Sequence, residues 1–194
     1  MNSTPISSPL TLEEKNCLLK LARQSIEIAT TRKHLPPLQL EDYTQTLQAW
    51  GASFVTLTDN GNLRGCIGAL EPYQPLVEDV REHAVAAALE DYRFPPVRPS
   101  EVPRLEIEIS RLTAPVPLEY TDPAELPHLL RPGIDGVVLR ESFRRATFLP
   151  QVWEKLPDPK DFLSQLCYKM GVSPEAWRSQ KLVVLTYQVE EFHE

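Results

Sequence analysis

The chain has 194 residues, 42% of them hydrophobic and 24% charged, and a formal net charge of −7. This composition is that of a globular protein with its own core, and the acidic balance argues against a nucleic-acid partner, which needs concentrated positive charge. No apolar run reaches the roughly 18–20 residues that span a membrane. The three cysteines are widely spaced and form no CxxC pair. This excludes the common zinc and iron–sulfur spacings and favours reduced thiols in the cytoplasm.

The chain begins with a predicted disordered leader over residues 1–10, followed by one folded domain over residues 11–194. Thr11 and Glu14 have the spacing of a capping box at the start of that domain. Apolar residues then recur at helical spacing, which predicts a helix from Thr11 to about Arg32. Cys17 lies at the edge of its apolar face, as expected for a small packed thiol.

A predicted β-hairpin carries the most unusual stretch of the chain, "LRGCIG" at residues 63–68. Residues 53–58 are β-branched and aromatic, which favours a strand, and Asn60-Gly61 is a strong two-residue turn signal. Strict alternation along the returning strand divides its residues between two faces. One face is predicted to hold Leu63, Gly65 and Ile67, and the other Arg64, Cys66 and Gly68.

The rest of the chain alternates predicted helices and strands. Residues 75–90 have the apolar stripe of a helix. Residues 104–112 alternate like a half-exposed strand, with Glu106 and Glu108 pointing outward. A second hairpin over residues 135–150, a helix over residues 158–171 and a strand over residues 181–192 follow. Strands grouped as hairpins with helices between them predict an α+β fold: an antiparallel sheet with flanking helices.

Cys66 is the strongest candidate for chemistry. A nucleophilic cysteine needs a nearby cation and an accessible thiol. Arg64, predicted on the same face, would supply the cation, and His83, one helical turn after Asp79, is the best placed base among the four histidines. Two alternatives stay open. Either Cys66 is a small core residue beside glycines that allow close packing, or the strand forms a binding site without covalent chemistry.

The two glycines of the motif favour a binding site. Gly65 and Gly68 are predicted on opposite faces, so packing against a single helix explains only one of them. A ligand is therefore expected to approach the other face. The planar guanidinium of Arg64 suits a carboxylate or phosphate, which predicts a small anionic ligand. Asp91 and Arg93 are predicted to line the same cleft, the alternative being a salt bridge at the helix end.

Several segments together resemble the AMMECR1 family, whose bacterial and archaeal members are called AmmeMemoRadiSam system protein A. In chain order they are "LRGCIG", "RFPP", "LEIEIS", "RPGIDGVVL", "RATFLPQVW" and "FLSQLCYKMG". The resemblance runs from about Phe54 to Phe192. It departs from the family's pattern at Tyr92, where a proline is common, and this makes the local turn less rigid.

The resemblance carries expectations of its own. It implies a larger and a smaller lobe with a cleft between them and the "LRGCIG" motif near that cleft. It implies a genomic association with a Memo-like protein and a radical SAM enzyme. It also implies Thr147 and Gln151 as ligand-binding candidates. No catalytic activity is established for the family, so the resemblance implies no reaction.

The sequence therefore predicts a cytoplasmic accessory protein that binds a small molecule or anion around Arg64–Gly68, and the resemblance implies that it acts with Memo-like and radical SAM partners. The first alternative is an enzyme with Cys66 as nucleophile and His83 as base. The second is a nucleic-acid-linked regulator, which the net charge disfavours. No motif identifies a cofactor or a metal site.

Overall fold

A computed structural model describes residues 9–194 of the chain. The predicted α+β architecture with antiparallel strand pairing is confirmed, but the strands form two sheets where one was predicted. The chain divides into two compact units: one runs to Thr113 and takes in Glu190–Glu194, and the other is Ala114–Val189. The α-helices are α1 (Leu12–Thr30), α2 (Gln45–Gln48), α3 (Leu76–Leu89), α4 (Leu126–Leu129), α5 (Pro159–Met170) and α6 (Ala176–Ser179). The strands are β1 (Trp50–Asp59), β2 (Asn62–Gly68), β3 (Gln74–Pro75), β4 (Leu105–Leu112), β5 (Val116–Pro117), β6 (Gly136–Glu141), β7 (Arg144–Phe148), β8 (Val183–Tyr187) and β9 (Val189–His193).

Short 3₁₀ turns connect several of these elements. They span Leu40–Asp42, Val102–Arg104, Pro123–Glu125 and Pro150–Glu154. No helix within residues 9–194 combines the length and the apolar character that crossing a bilayer requires.

The first unit is built on a five-stranded sheet with the order β2-β1-β4-β9, in which β3 also pairs with β1. Val55 and Leu57 of β1 point to the face that α3 covers, and both are fully buried. We call this the inner face. The opposite side of the sheet, to which Thr56 and Thr58 point, is called the outer face. Because α1 packs on α3 in turn, the core of this unit lies between the inner face and the two helices.

The start of α1 has the predicted capping box. The Glu14 N–H donates to Thr11 Oγ1 at 3.2 Å, and the Thr11 N–H donates to the Glu14 carboxylate at 2.9 Å. Residues 1–8 of the predicted leader lie outside the described residues. Leu10, which was assigned to that leader, is 4% exposed and its N–H donates to the carboxylate of Glu190 at 3.2 Å. The folded core of the first unit therefore includes Leu10, the last residue of the predicted leader.

A β-bulge interrupts the alternation of the motif strand. Leu57 lies opposite Gly65, but the next residue of β1, Thr58, lies opposite Leu63, so Arg64 is an extra residue without a cross-strand partner. Leu63 therefore lies on the outer face with Thr58. Its predicted place on the face of Gly65 is wrong, because the bulge shifts the alternation by one residue.

The second unit has a four-stranded sheet with the order β5-β8-β6-β7. Its core contains Trp153 stacked on Phe162, with ring centroids 3.7 Å apart and planes 6° from parallel. Asp158 caps α5 by accepting from the backbone N–H groups of the first turn, and Gly171 ends the helix with a φ of 79°. Both ends of this helix follow the sequence prediction.

Candidate functional site

The motif strand packs closely on α3 at Gly65. A β-carbon at this position would overlap the carbonyl oxygen of Ala87 and lie 3.0 Å from its carbonyl carbon. Both atoms belong to the helix backbone, so neither can turn away as a side-chain end would. Gly65 is therefore required by the contact between β2 and α3.

Cys66 lies on the outer face, where its backbone is held by a clamp formed by Asp91 and Arg93. The Cys66 N–H donates to Asp91 Oδ2 at 2.8 Å, and Arg93 Nη2 donates to the Cys66 carbonyl at 3.2 Å. Three further bonds join Asp91 and Arg93: the guanidinium of Arg93 donates to the carboxylate at 2.6 and 2.9 Å, and the Arg93 N–H donates to it at 3.2 Å. Hydrogen bonding from Arg93, with help from the Cys66 N–H, holds the pKa of Asp91 well below its usual range. The clamp fixes the backbone that carries the thiol.

The guanidinium of Arg64 is engaged elsewhere. Its Nε donates to Oε1 of Glu101 at 3.2 Å, and the two side chains are only 13% and 9% exposed. Arg98 and Arg104 pair with the same carboxylate at 3.3 and 3.7 Å. The backbone N–H of Arg98, followed by Arg64, lowers the pKa of Glu101 to about 2. The cation that was expected to meet an anionic ligand is thus neutralised within the protein.

Gly68 is explained without a ligand. A β-carbon at this position would overlap the ring of Phe54, which lies directly across on β1, and the carbonyl oxygen of Ser53. Gly65 is set by the helix on the inner face, and Gly68 by an aromatic ring on the outer face. The prediction of a ligand from the two opposite glycines therefore loses its basis, because the chain itself fills both spaces.

The outer face of the first unit's sheet forms a depression of about 420 Å³. Its lining residues are Thr56, Thr58, Glu106, Ile107, Glu108, His193 and Glu194. Thr58 Oγ1 donates to Glu106 at 3.2 Å, and Thr56 Oγ1 donates to the sulfur of Cys66 at 3.3 Å, which puts the thiol beside the depression. In the part of the chain that the structure describes, no lysine or arginine pairs with Glu106 or Glu108. The depression is therefore polar and acidic.

Cys66 and His83 do not meet. His83 lies on α3, against the inner face, and its two ring nitrogens contact Asp79 at 3.2 Å and the hydroxyl of Tyr73 at 3.3 Å. The Cys66 thiol lies on the outer face, where its contact is Thr56. The sheet thus separates the two groups that a cysteine–histidine pair would bring together. Asp79, one helical turn before His83, does contact its ring.

Thr147 and Gln151 belong to the second unit. Thr147 is buried, and its hydroxyl lies 3.1 Å from that of Tyr187. The ring of Tyr187 occupies the space that a β-carbon on Gly136 would need. Lys169 donates to the Thr147 carbonyl at 2.9 Å. Gln151 is exposed within the 3₁₀ turn Pro150–Glu154. The contacts around Thr147 are those of a packed core.

Two features of the first unit near Cys66 were not predicted from the sequence. Thr56 and Thr58 alternate with buried Val55 and Leu57, so the same period-2 pattern that placed Glu106 outward could have identified the outer face of β1. Glu101 gave no such signal, because it lies 37 residues from Arg64 along the chain. Only the folded chain brings that pair together.

Comparisons with known proteins identify the family to which the chain belongs. The sequence model of the AMMECR1 family matches residues 19–192. A protein of Methanothermobacter thermautotrophicus is 38% identical over 191 residues, which cover 96% of this chain and 97% of that protein. Protein MK0488 of Methanopyrus kandleri is 38% identical over 197 residues, covering 95% and 90%. The crystal structure of the uncharacterized protein PH0010 from Pyrococcus horikoshii is similar with a TM-score of 0.75 and 34% identity, covering 95% of this chain and 93% of that one. The chain belongs to the AMMECR1 family.

Proposed function

We propose that this chain is a binding protein whose small-molecule site is the outer-face depression beside Cys66. The observation that carries the proposal is the depression itself, which at about 420 Å³ is within the ordinary range of ligand sites. Its lining combines hydroxyl, carboxylate and imidazole groups. The Asp91–Arg93 clamp supports the proposal, since a fixed backbone at Cys66 keeps the neighbouring surface in one shape.

The charge of the lining indicates the class of ligand. Glu106 and Glu108 carry no cationic partner among the described residues, whereas Arg64 is already paired with Glu101. A ligand with an amine or guanidinium group would therefore gain more here than the small anion expected from the sequence. Thr56 and Thr58 would supply hydrogen bonds to its uncharged parts.

Titration of ¹⁵N-labelled protein with agmatine, which carries an amine and a guanidinium, tests this proposal. We expect saturable shifts of the amides around Thr56 and Glu108, and Glu108→Gln should weaken binding roughly tenfold because one charge-assisted bond is lost. Glu27→Gln, a matched change on the exposed side of α1, should bind like the wild type. Saturable shifts with phosphate at the same amides, or none with agmatine, would contradict the proposal.

Catalysis by Cys66 is not supported by the geometry, because His83 lies against the other side of the sheet and contacts Asp79 and Tyr73. Thiol reactivity provides an independent check. The rate at which Cys66 reacts with a disulfide reagent at neutral pH is obtained by subtracting the signal of the Cys66→Ser variant. We expect that rate to be slow. Fast reaction would reopen the enzyme hypothesis.

An accessory role in the cytoplasm, beside a Memo-like protein and a radical SAM enzyme, is part of the same proposal. Its support is the family resemblance, and the three free cysteines fit a reducing compartment. Co-expression of the three proteins followed by size-exclusion chromatography tests it. Separate elution of all three, with no shift on mixing, would contradict a stable complex.

A further inference from the structure

A series of hydrogen bonds on the inner face links the core of the first unit to the segment that follows the motif strand. The side chain of Asp79 is fully buried. Its Oδ2 accepts from the Ser53 hydroxyl at 2.6 Å and lies 3.2 Å from Nδ1 of His83, while its Oδ1 has no hydrogen-bond partner among the described residues. Nε2 of His83 lies 3.3 Å from the hydroxyl of Tyr73. Tyr73 belongs to residues 69–73, which connect β2 to β3 and are called the strap.

The outer end of the series fastens the strap to α3. Tyr73 is 45% exposed, and its hydroxyl donates to Oε1 of Glu82 at 3.0 Å. The amide of Gln74 donates to Oε2 of the same carboxylate at 2.7 Å. The rings of Tyr73 and His83 meet edge-on with centroids 6.2 Å apart. Burial, followed by the bond to Glu82, raises the pKa of Tyr73 to about 12, so the hydroxyl keeps its proton.

Counting protons shows which form of His83 satisfies every contact. A tyrosine hydroxyl has one proton to donate, and in this structure it goes to Glu82. The contact between Tyr73 and Nε2 of His83 is then a hydrogen bond only if Nε2 carries a proton. Nδ1 needs its own proton to donate to Asp79. All of these contacts are satisfied together only when the ring is an imidazolium.

We propose that the strap is a proton-dependent latch, fastened when both ring nitrogens of His83 carry protons and loosened when Nε2 releases its proton to solvent. In the neutral ring Nε2 becomes an acceptor and competes with Glu82 for the single proton of Tyr73. One of the two bonds of Tyr73 is then lost. The loss of one hydrogen bond should raise the open fraction of the strap roughly threefold to tenfold.

The groups that face His83 come from several elements. Asp79 and Glu82 are on its own helix, and Tyr73 is on the strap. From the sheet, the hydroxyl of Ser53 on β1 donates to Asp79. Arg111 on β4 lies opposite Ser53 and pairs with Glu190 at 3.3 Å. Because the strap continues directly from Gly68, its opening would free one end of the motif strand.

Amide hydrogen exchange on the full chain tests the latch. Exchange of residues 69–74 is measured at about pH 6 and about pH 8, a range in which histidine is the usual protein switch, and divided by the intrinsic rate at each pH. The wild type should be roughly threefold to tenfold more open at the higher pH. Tyr73→Phe should be equally open at both values. Tyr92→Phe is the matched control, since Tyr92 is 95% exposed, and it should behave like the wild type.

Nitrogen NMR of the His83 ring, assigned with His83→Gln, tests the same proposal in the unaltered protein. A doubly protonated ring at about pH 6 supports the latch. A neutral ring at that pH overturns it. Corrected exchange that is equal at both pH values in the wild type also overturns it, as does a Tyr73→Phe variant that retains the wild-type pH dependence.

Discussion

Replacing Gly65 by alanine adds one methyl group where β2 meets α3. The new β-carbon would overlap the carbonyl oxygen of Ala87 and lie 3.0 Å from its carbonyl carbon, closer than ordinary van der Waals contact. Both atoms are backbone, so relief requires α3 to move away from the sheet as a whole. That movement would loosen the fully buried contacts of Val55 and Leu57 with the helix.

The expected cost follows from this geometry. Overpacking of a core costs about 1–3 kcal/mol when side chains can adjust. Since a backbone group blocks the methyl group of Gly65→Ala and the shift also opens gaps in the core, we expect a loss of about 3 kcal/mol or more in the free energy of unfolding.

Urea unfolding, followed by far-ultraviolet circular dichroism, measures this loss. Gly133→Ala is the matched control. Among the described residues no atom lies within 4 Å of the place that a β-carbon on residue 133 would take, so the added strain comes only from the φ of +78° at this residue. The control should lose about 1 kcal/mol. A Gly65→Ala protein as stable as the control would refute the close-packing explanation of the motif glycine.

Three further predictions concern the polar contacts. Asp91→Ala should lower the free energy of unfolding by about 2–3 kcal/mol, because it removes the buried carboxylate that accepts from the Cys66 N–H. Urea unfolding would measure this loss. The folded-state pKa values of Asp91 and Glu101 are lowered. The stability that the two carboxylates contribute is therefore present above their unfolded-state pKa values, near pH 4, and is lost as the pH falls further. Urea midpoints that stay constant from about pH 5 to about pH 2 would contradict this. Thr147→Val should cost about 1 kcal/mol, and a double-mutant cycle with Tyr187→Phe should show that the two hydroxyls, 3.1 Å apart, are coupled.

Local rules predicted much of the fold. The capping box at Thr11, the turn at Asn60-Gly61 and the end of α5 at Gly171 depend on residues close together in the chain. The antiparallel β1–β2 pairing and the outward position of Glu106 followed from alternation with a period of two.

The candidate site was less predictable, because its contacts come from distant segments. The bulge at Arg64 depends on how β2 fits against β1, and alternation alone has no signal for it. The partner of Arg64, Glu101, directly precedes the 3₁₀ turn Val102–Arg104. The clamp on Cys66 comes from the residues just after α3. Packing against a helix was expected to explain only one of the two motif glycines. It explains Gly65, and the ring of Phe54, for which the motif gives no signal, fills the space over Gly68.

The clamp on Cys66 also bears on how the protein behaves at high concentration. β2 is the outermost strand of its sheet, and a free strand edge offers unpaired N–H and C=O groups as a template for a strand of another chain. At Cys66 both groups are already occupied by Asp91 and Arg93. An incoming strand could pair there only by displacing a buried, ion-paired carboxylate. The clamp thus protects the sheet against edge-to-edge aggregation, and a chain that lacks it is expected to self-associate while still folded.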